Sequence, residues 1–308
     1  MDSILATGRP GKYLFHKLKK NQTNTMVFKN LAITLSFPFL TMSFMPYQNI
    51  FNGGKQVTTG AGFSNNPVNM SYCDGAGLRI SIIDTSNYYA SSTSPLPSTV
   101  RLDMPPPGDQ GLQRSCAAWA TVYGAGNYYM HFTTGKSYSD TGNLSPGFIY
   151  NQLSKGKCGI TSLLDNLYLF KTEGSCSLKT MPYNANDCST QPGSVQRCNA
   201  ENHKIKGWEN IDPYNLTLLK RAVSQKKPVI FSIVIDEGFD KITAPFIWKE
   251  RCGRMEQTHT MVIAGYDDNR NAFLVMNSWG TSWGDKGFIW IDYHFFLCNA
   301  FPDGYILI

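Results

Sequence analysis

From Val229 onward the sequence carries four β-rich runs parted by turn residues: VIFSIVI, TMVIAGY from Thr260, AFLVMNSW from Ala272 and GFIWIDY from Gly287. The stretch before them reads as helix. SCAAWATVYGAGNYYMHF from Ser115 predicts a buried helix. Gly124 and Gly126 each cost it about 1 kcal/mol against alanine, a cost that close packing explains. Ser145 before Pro146 marks a second helix start, and Thr161 is expected to cap a third, with Leu163, Leu164, Leu167 and Phe170 on one face. Asp212 and Pro213 are expected to open a fourth, with Leu216, Leu219 and Val223 on its apolar face and Pro228 as its stop. Helices first and strands afterwards predict an α+β fold with a helical lobe, a β lobe and a cleft between them.

Charge narrows the function classes once it is located. The net charge of +6 sits almost wholly in residues 1–30, where Arg9, Lys12, Lys17, Lys19, Lys20 and Lys29 face Asp2 alone. The rest of the chain has no basic excess to track a phosphate backbone, which argues against nucleic acid as a partner. LAITLSFPFLTMSFM follows the basic segment, in the order of an export signal. It is too short for a membrane-spanning helix and Pro38 interrupts it, so no stable span is expected after signal processing. Residues 1–45 therefore read as basic N-terminus and signal, 46–95 as a Gly-, Ser- and Asn-rich leader, and 96–308 as the folded domain. Eight cysteines without a Cys-x-x-Cys pair suit an oxidising compartment, secreted or periplasmic, and call for no metal or other cofactor.

Cys116 stands at the start of its helix, where backbone N–H groups and the helix dipole favour a thiolate. Such a cysteine is by itself more often an inert small hydrophobe. A nucleophile needs a base within hydrogen-bond reach, and among five histidines only His259 begins a strand that a hairpin could return to a partner. With the turn centred on Asp268 and Asn269, Asn277 falls opposite His259, where an amide can orient the imidazole.

These residues resemble the papain-like cysteine proteases. DQGLQRSCAAWA sets Gln110 six residues before Cys116, and HTMVIAGYDD and NSWGTSWGDKGFIWI look like that family's histidine strand and Asn-Ser-Trp-Gly block. The resemblance implies a papain-like two-lobed fold, helical lobe first and antiparallel β lobe second, with the site in the cleft. It implies Cys116 as nucleophile, His259 as base, Asn277 as orienting residue, Gln110 in the oxyanion hole and Trp279 shielding the His259–Asn277 contact. It also implies a disulfide between Cys252 and Cys298. The expected substrate is a peptide or protein, and a divergent, bacterial-type member is the nearest description. Two departures stand out: the family pattern has a cysteine three residues before the nucleophile and a tryptophan just after it, where this chain has Gln113 and Ala117. The competing readings are a silent papain-like scaffold used for binding or adhesion, and an acyl transferase resolved by an amine or thiol.

Overall fold

A computed structural model describes residues 94–308 apart from residue 140. The expected export signal at 1–45, and all but the end of the leader expected at 46–95, lie outside the described residues. The helix expected from Ser115 forms as one continuous rod, α1, made of Cys116–Ala118, a π-helical stretch Trp119–Gly126 and Asn127–Thr134. Its small residues let it lie close to its neighbours. A Cβ on Gly124 would come within 3.0 Å of Val262 Cγ2, and one on Gly126 within 2.7 and 2.9 Å of the Phe170 ring. Gly135 then ends the rod in a left-handed conformation with its N–H on His131 O.

The shorter helices begin near, though not always at, the expected caps. α2 (Pro146–Ser154) starts with proline at its first position, as read from the sequence. α3 (Leu163–Thr172) is capped by Ser162, whose Oγ accepts from Asp165 N, rather than by Thr161. Thr161 Oγ1 instead accepts from the Asn166 side chain. After α4 (Ser194–Ala200), α5 (Leu216–Ser224) starts later than Asp212 and Pro213 suggest. Asp212 spends its carboxylate on Tyr214 N in a turn, and Asn215 takes the cap with its side chain on Leu218 N.

The second half is a sheet. Its strands are β1 (Thr99–Arg101), β2 (Trp208–Ile211), β3 (Val229–Asp236), β4 (Ile247–Trp248), β5 (Met255–Asp267), β6 (Ala272–Met276), β7 (Phe288–Asp292) and β8 (Ala300–Leu307). They lie in the order β2-β8-β3-β5-β6-β7-β4, with β1 pairing the far end of β5. All pairs are antiparallel except β4 with β7. β6 is buried along its whole length and β3 along nearly all of it, whereas β7 alternates, which fits a sheet covered on both faces at its centre and open towards its edge. α6 (Tyr293–Asn299) leads into β8. α1 packs across β5 and β3, and one apolar cluster runs from Val122 and Ala125 of α1 to Phe231, Val262 and Phe273 of the sheet.

The cysteines differ from expectation. A disulfide joins Cys158 to Cys188, whereas Cys252 keeps a free thiol, so the expected Cys252–Cys298 bridge is not formed. The neighbours of that pair do meet, since the Arg251 guanidinium donates to Asn299 Oδ1 at 2.7 Å. The Cys252 side chain is turned towards Gly238, with Sγ 3.2 Å from where a Cβ there would sit, and its N–H is held by Asp236 Oδ2. Among the described residues no helix is long and apolar enough to cross a membrane.

Candidate active site

Three segments converge on Cys116. The first is α1 itself, whose N-terminal end presents the thiol, buried with 7% of its surface accessible. The second is β5, which carries His259 and Thr260 beside Ile233 and Ser232 of β3. The third is the segment after β6, where Asn277, Ser278 and Trp279 leave the sheet.

His259 Nε2 and Asn277 Oδ1 are 2.7 Å apart, both side chains buried. The Asn277 oxygen also accepts from Ser278 N at 2.7 Å, which fixes the amide with its oxygen towards the ring. An amide oxygen only accepts, so Nε2 carries the proton and donates, and Nδ1 is left for the sulfur. Burial alone pushes the Cys116 thiol up. The hydrogen bond with His259 and its positive charge, with Thr260 backbone and side-chain contacts, outweigh burial and bring the thiol below its ordinary value.

The Trp279 ring lies over the imidazole with centroids 5.0 Å apart, and Phe239 packs edge-on to Trp279 at 5.2 Å. These rings pack over the His259–Asn277 contact.

Gln110 reaches the site through a short stretch of chain pairing. Its N–H donates to Ser278 O at 2.8 Å, and Gly280 N donates to Gly108 O at 2.9 Å. Gly111 follows with φ +58, a turn that an L side chain adopts only with strain. The Gln110 amide is held at both ends: Ser278 Oγ donates to Oε1 at 2.6 Å, and Nε2 donates to Gln113 O at 2.7 Å. Among the described residues Nε2 makes no second bond. Gln110, Cys116, His259 and Trp279 together line a cleft of about 520 Å³. Leu112, wholly exposed, and Ile160, more than half exposed, stand at its rim with Arg114 and Asp240.

The geometry thus brings Gln110, Cys116, His259, Asn277 and Trp279 to one place. It leaves out Cys252, which lies beside Asp236 and Gly238. Two contributors were not read from the sequence. Thr260 follows His259 directly, and a residue beside a base on a strand is ordinarily expected on the other face. Ser278 was visible only as part of the Asn-Ser-Trp-Gly run.

The arrangement is that of a buried thiol beside an amide-paired imidazole, with the Gln110 amide at the same cleft. A family model for papain family cysteine proteases matches residues 104–300, and the chain belongs to that family. Among curated proteins, cathepsin J of Rattus norvegicus is 31% identical over 202 residues, covering 60% of this chain and 55% of the relative. Cathepsin K of Gallus gallus is 30% identical over 196 residues, covering 60% of this chain and 54% of the relative. The chain therefore spans little more than half the length of these relatives. Xylellain, a cysteine protease from Xylella fastidiosa, shares the papain-like α+β fold with a TM-score of 0.60 at 22% identity, over 69% of this chain and 86% of that one. The Carica candamarcensis cysteine protease CMS1MS2, solved in complex with E-64, does so with a TM-score of 0.54 at 20% identity, over 69% of this chain and 98% of that one.

Proposed function

We propose that this chain is an exported cysteine peptidase that hydrolyses peptide bonds by acyl transfer to Cys116. The observation that carries the reading is the linked set of contacts at the thiol. His259 lowers the Cys116 thiol through a hydrogen bond and its charge, while its other ring nitrogen is bound by Asn277 Oδ1 at 2.7 Å.

In the proposed reaction His259 Nδ1 takes the thiol proton and the thiolate attacks a peptide carbonyl carbon. The carbonyl oxygen gains the charge, and the free hydrogen of Gln110 Nε2 and the Cys116 backbone N–H receive it. Collapse breaks the C–N bond, and His259 gives its proton to the departing amine. Water then attacks the thioester with His259 again as base, and Cys116 is regenerated. Asn277 holds the ring through this cycle, and Trp279 keeps the contact dry. No cofactor enters any step, and the partner is a peptide or protein chain in the cleft.

Labelling with E-64, an epoxide that traps a reactive thiolate, tests the reading. One equivalent should be taken up at Cys116, none in Cys116→Ala, and little in His259→Ala, with turnover of a peptide amide lost in both variants. A folded, reduced protein that takes up no E-64 and cleaves no peptide would leave a binding scaffold instead. Cleavage within a peptide blocked at both ends identifies an endopeptidase. Export is part of the proposal and is supported by the Cys158–Cys188 disulfide. Recovery of the protein only from the reducing cytosol would refute it.

A further inference from the structure

The loop that carries Gln110 to the nucleophile has to be rigid for its amide to meet a developing charge, and a single phenol gathers it. Tyr183 Oη lies 2.9 Å from Gln110 O, 2.8 Å from Gln113 Oε1 and 2.8 Å from Ser115 Oγ. These three partners span the segment between the oxyanion donor and Cys116.

The protons can be accounted for. Gln110 O only accepts. Gln113 Oε1 does too, because Gln113 Nε2 is committed to Asp187 O at 3.1 Å and so fixes which way that amide points. The phenol proton is shared between those two acceptors, and Ser115 donates its own to the phenol oxygen. Burial holds the Tyr183 phenol above its ordinary value, so it remains a donor throughout the neutral range.

Other features of the segment depend on the same hub. Ser115 occupies the N-cap of α1 yet makes no capping bond, its hydroxyl being turned to Tyr183. Gln113 O is the acceptor that positions Gln110 Nε2. Through Asp187 the network reaches the residue next to Cys188, which is tied to Cys158. Position 113 is also where the family pattern leads one to expect a cysteine, and here an amide and a phenol make the connection by hydrogen bonds. The Tyr183 ring is itself fixed, packed edge-on to Trp119 of α1 with centroids 4.9 Å apart.

We propose that Tyr183 is a positioning residue for the oxyanion hole, its hydroxyl tethering residues 110–115 so that the Gln110 amide and the Cys116 N–H converge on one point. The inference rests on the peptidase reading for its kinetic consequence but not for its structural one.

The test uses Tyr183→Phe, which keeps the ring against Trp119 and removes only the hydroxyl, with Gln113→Met as a second variant that severs the tether from the other side. Amide hydrogen exchange is followed in the peptide covering residues 109–116. Exchange at Gln110 N and Ser115 N, bonded to Ser278 O and Gln113 O, should quicken in both variants. With a peptide amide substrate, kcat should fall about tenfold with KM within about twofold. The pH profile of Cys116 alkylation by iodoacetamide, a displacement that develops no oxyanion, should stay in place. In a Gln110→Ala background, Tyr183→Phe should lower kcat by less than about twofold, because the donor it positions is gone. Unchanged exchange, an undiminished kcat, or the same tenfold loss without Gln110 would each overturn the proposal. If the wild-type protein turned over no peptide, the peptidase reading would fall, and exchange in the loop would still decide whether Tyr183 is the tether.

Discussion

Replacing Gln110 by alanine tests the site at its electrostatic centre. In the resting structure Nε2 gives one hydrogen to Gln113 O and Oε1 takes one from Ser278 Oγ. The second Nε2 hydrogen can therefore meet an oxyanion without breaking either bond, so the donor acts at full strength. Loss of one such donor lowers kcat by about 10²–10³, or roughly 2.7–4 kcal/mol, with little change in KM. The same substitution strands Ser278 Oγ, at about 1 kcal/mol, while Gln113 O keeps its bond from Ser115 N. For a domain of this size that lowers Tm by about 2–4 °C. Gln110→Glu separates the two effects. It keeps an acceptor for Ser278 but sets a carboxylate where the donor was, so activity at neutral pH should fall at least as far while Tm drops less. The assay is kcat and KM on a fluorogenic peptide amide, normalised by E-64 titration of the thiol, with calorimetry alongside. A Gln110→Ala enzyme within threefold of wild type in kcat, with its thiol fully titratable, would refute the assignment of the oxyanion hole.

In His259→Ala the hydrogen bond and charge that depress the Cys116 thiol are gone and burial is left to dominate. The wild-type rate of alkylation by iodoacetamide should rise with pH through an inflection below the ordinary cysteine value of about 8.5, and the variant's through one above it. Coincident profiles would mean that His259 does not set the nucleophile. Gly126→Ala would drive a methyl to within 2.7 Å of the Phe170 ring and 3.0 Å of Thr121 O. Chemical denaturation should show a loss of about 1–3 kcal/mol with an unchanged m-value, and a neutral result would show that α1 lies less tightly on α3 than the structure has it.

Much of this was legible because chemistry-bearing residues sit on strongly patterned elements. β5 and β6 are apolar runs bounded by turn residues, so the hairpin carrying His259 and Asn277 could be read directly. Its register could not. The turn occupies residues 268–271, so Asp267 pairs with Ala272, and a bulge between Ile263 and Gly265 changes the pairing again. By Val262, paired with Met276, the ladder runs two residues out of step with expectation, and extended further it would set Trp279 opposite His259. A shift of two preserves the face. The contact forms because Asn277 has left the ladder and turns its amide back to the ring. The disulfides were illegible for a different reason, since pairing depends on where Cβ vectors point, and Cys252 points at Gly238. Tyr183 carried no signal at all: a tyrosine after Met181 and Pro182 is an ordinary turn residue until its hydroxyl is seen among Gln110, Gln113 and Ser115.

The Gln110–Ser278 contact joins residues 168 positions apart, and β3 borders β8, with Ile230 opposite Tyr305. During synthesis Cys116 leaves the ribosome well before His259, Asn277 and Ser278 exist. Until they follow, the thiol has no imidazole to lower it and the Gln110 amide oxygen lacks the Ser278 hydroxyl that holds it. β3 cannot be bordered on both sides until β8 has emerged. A chain released before His259 therefore carries the Cys116 thiol without the contacts that lower it.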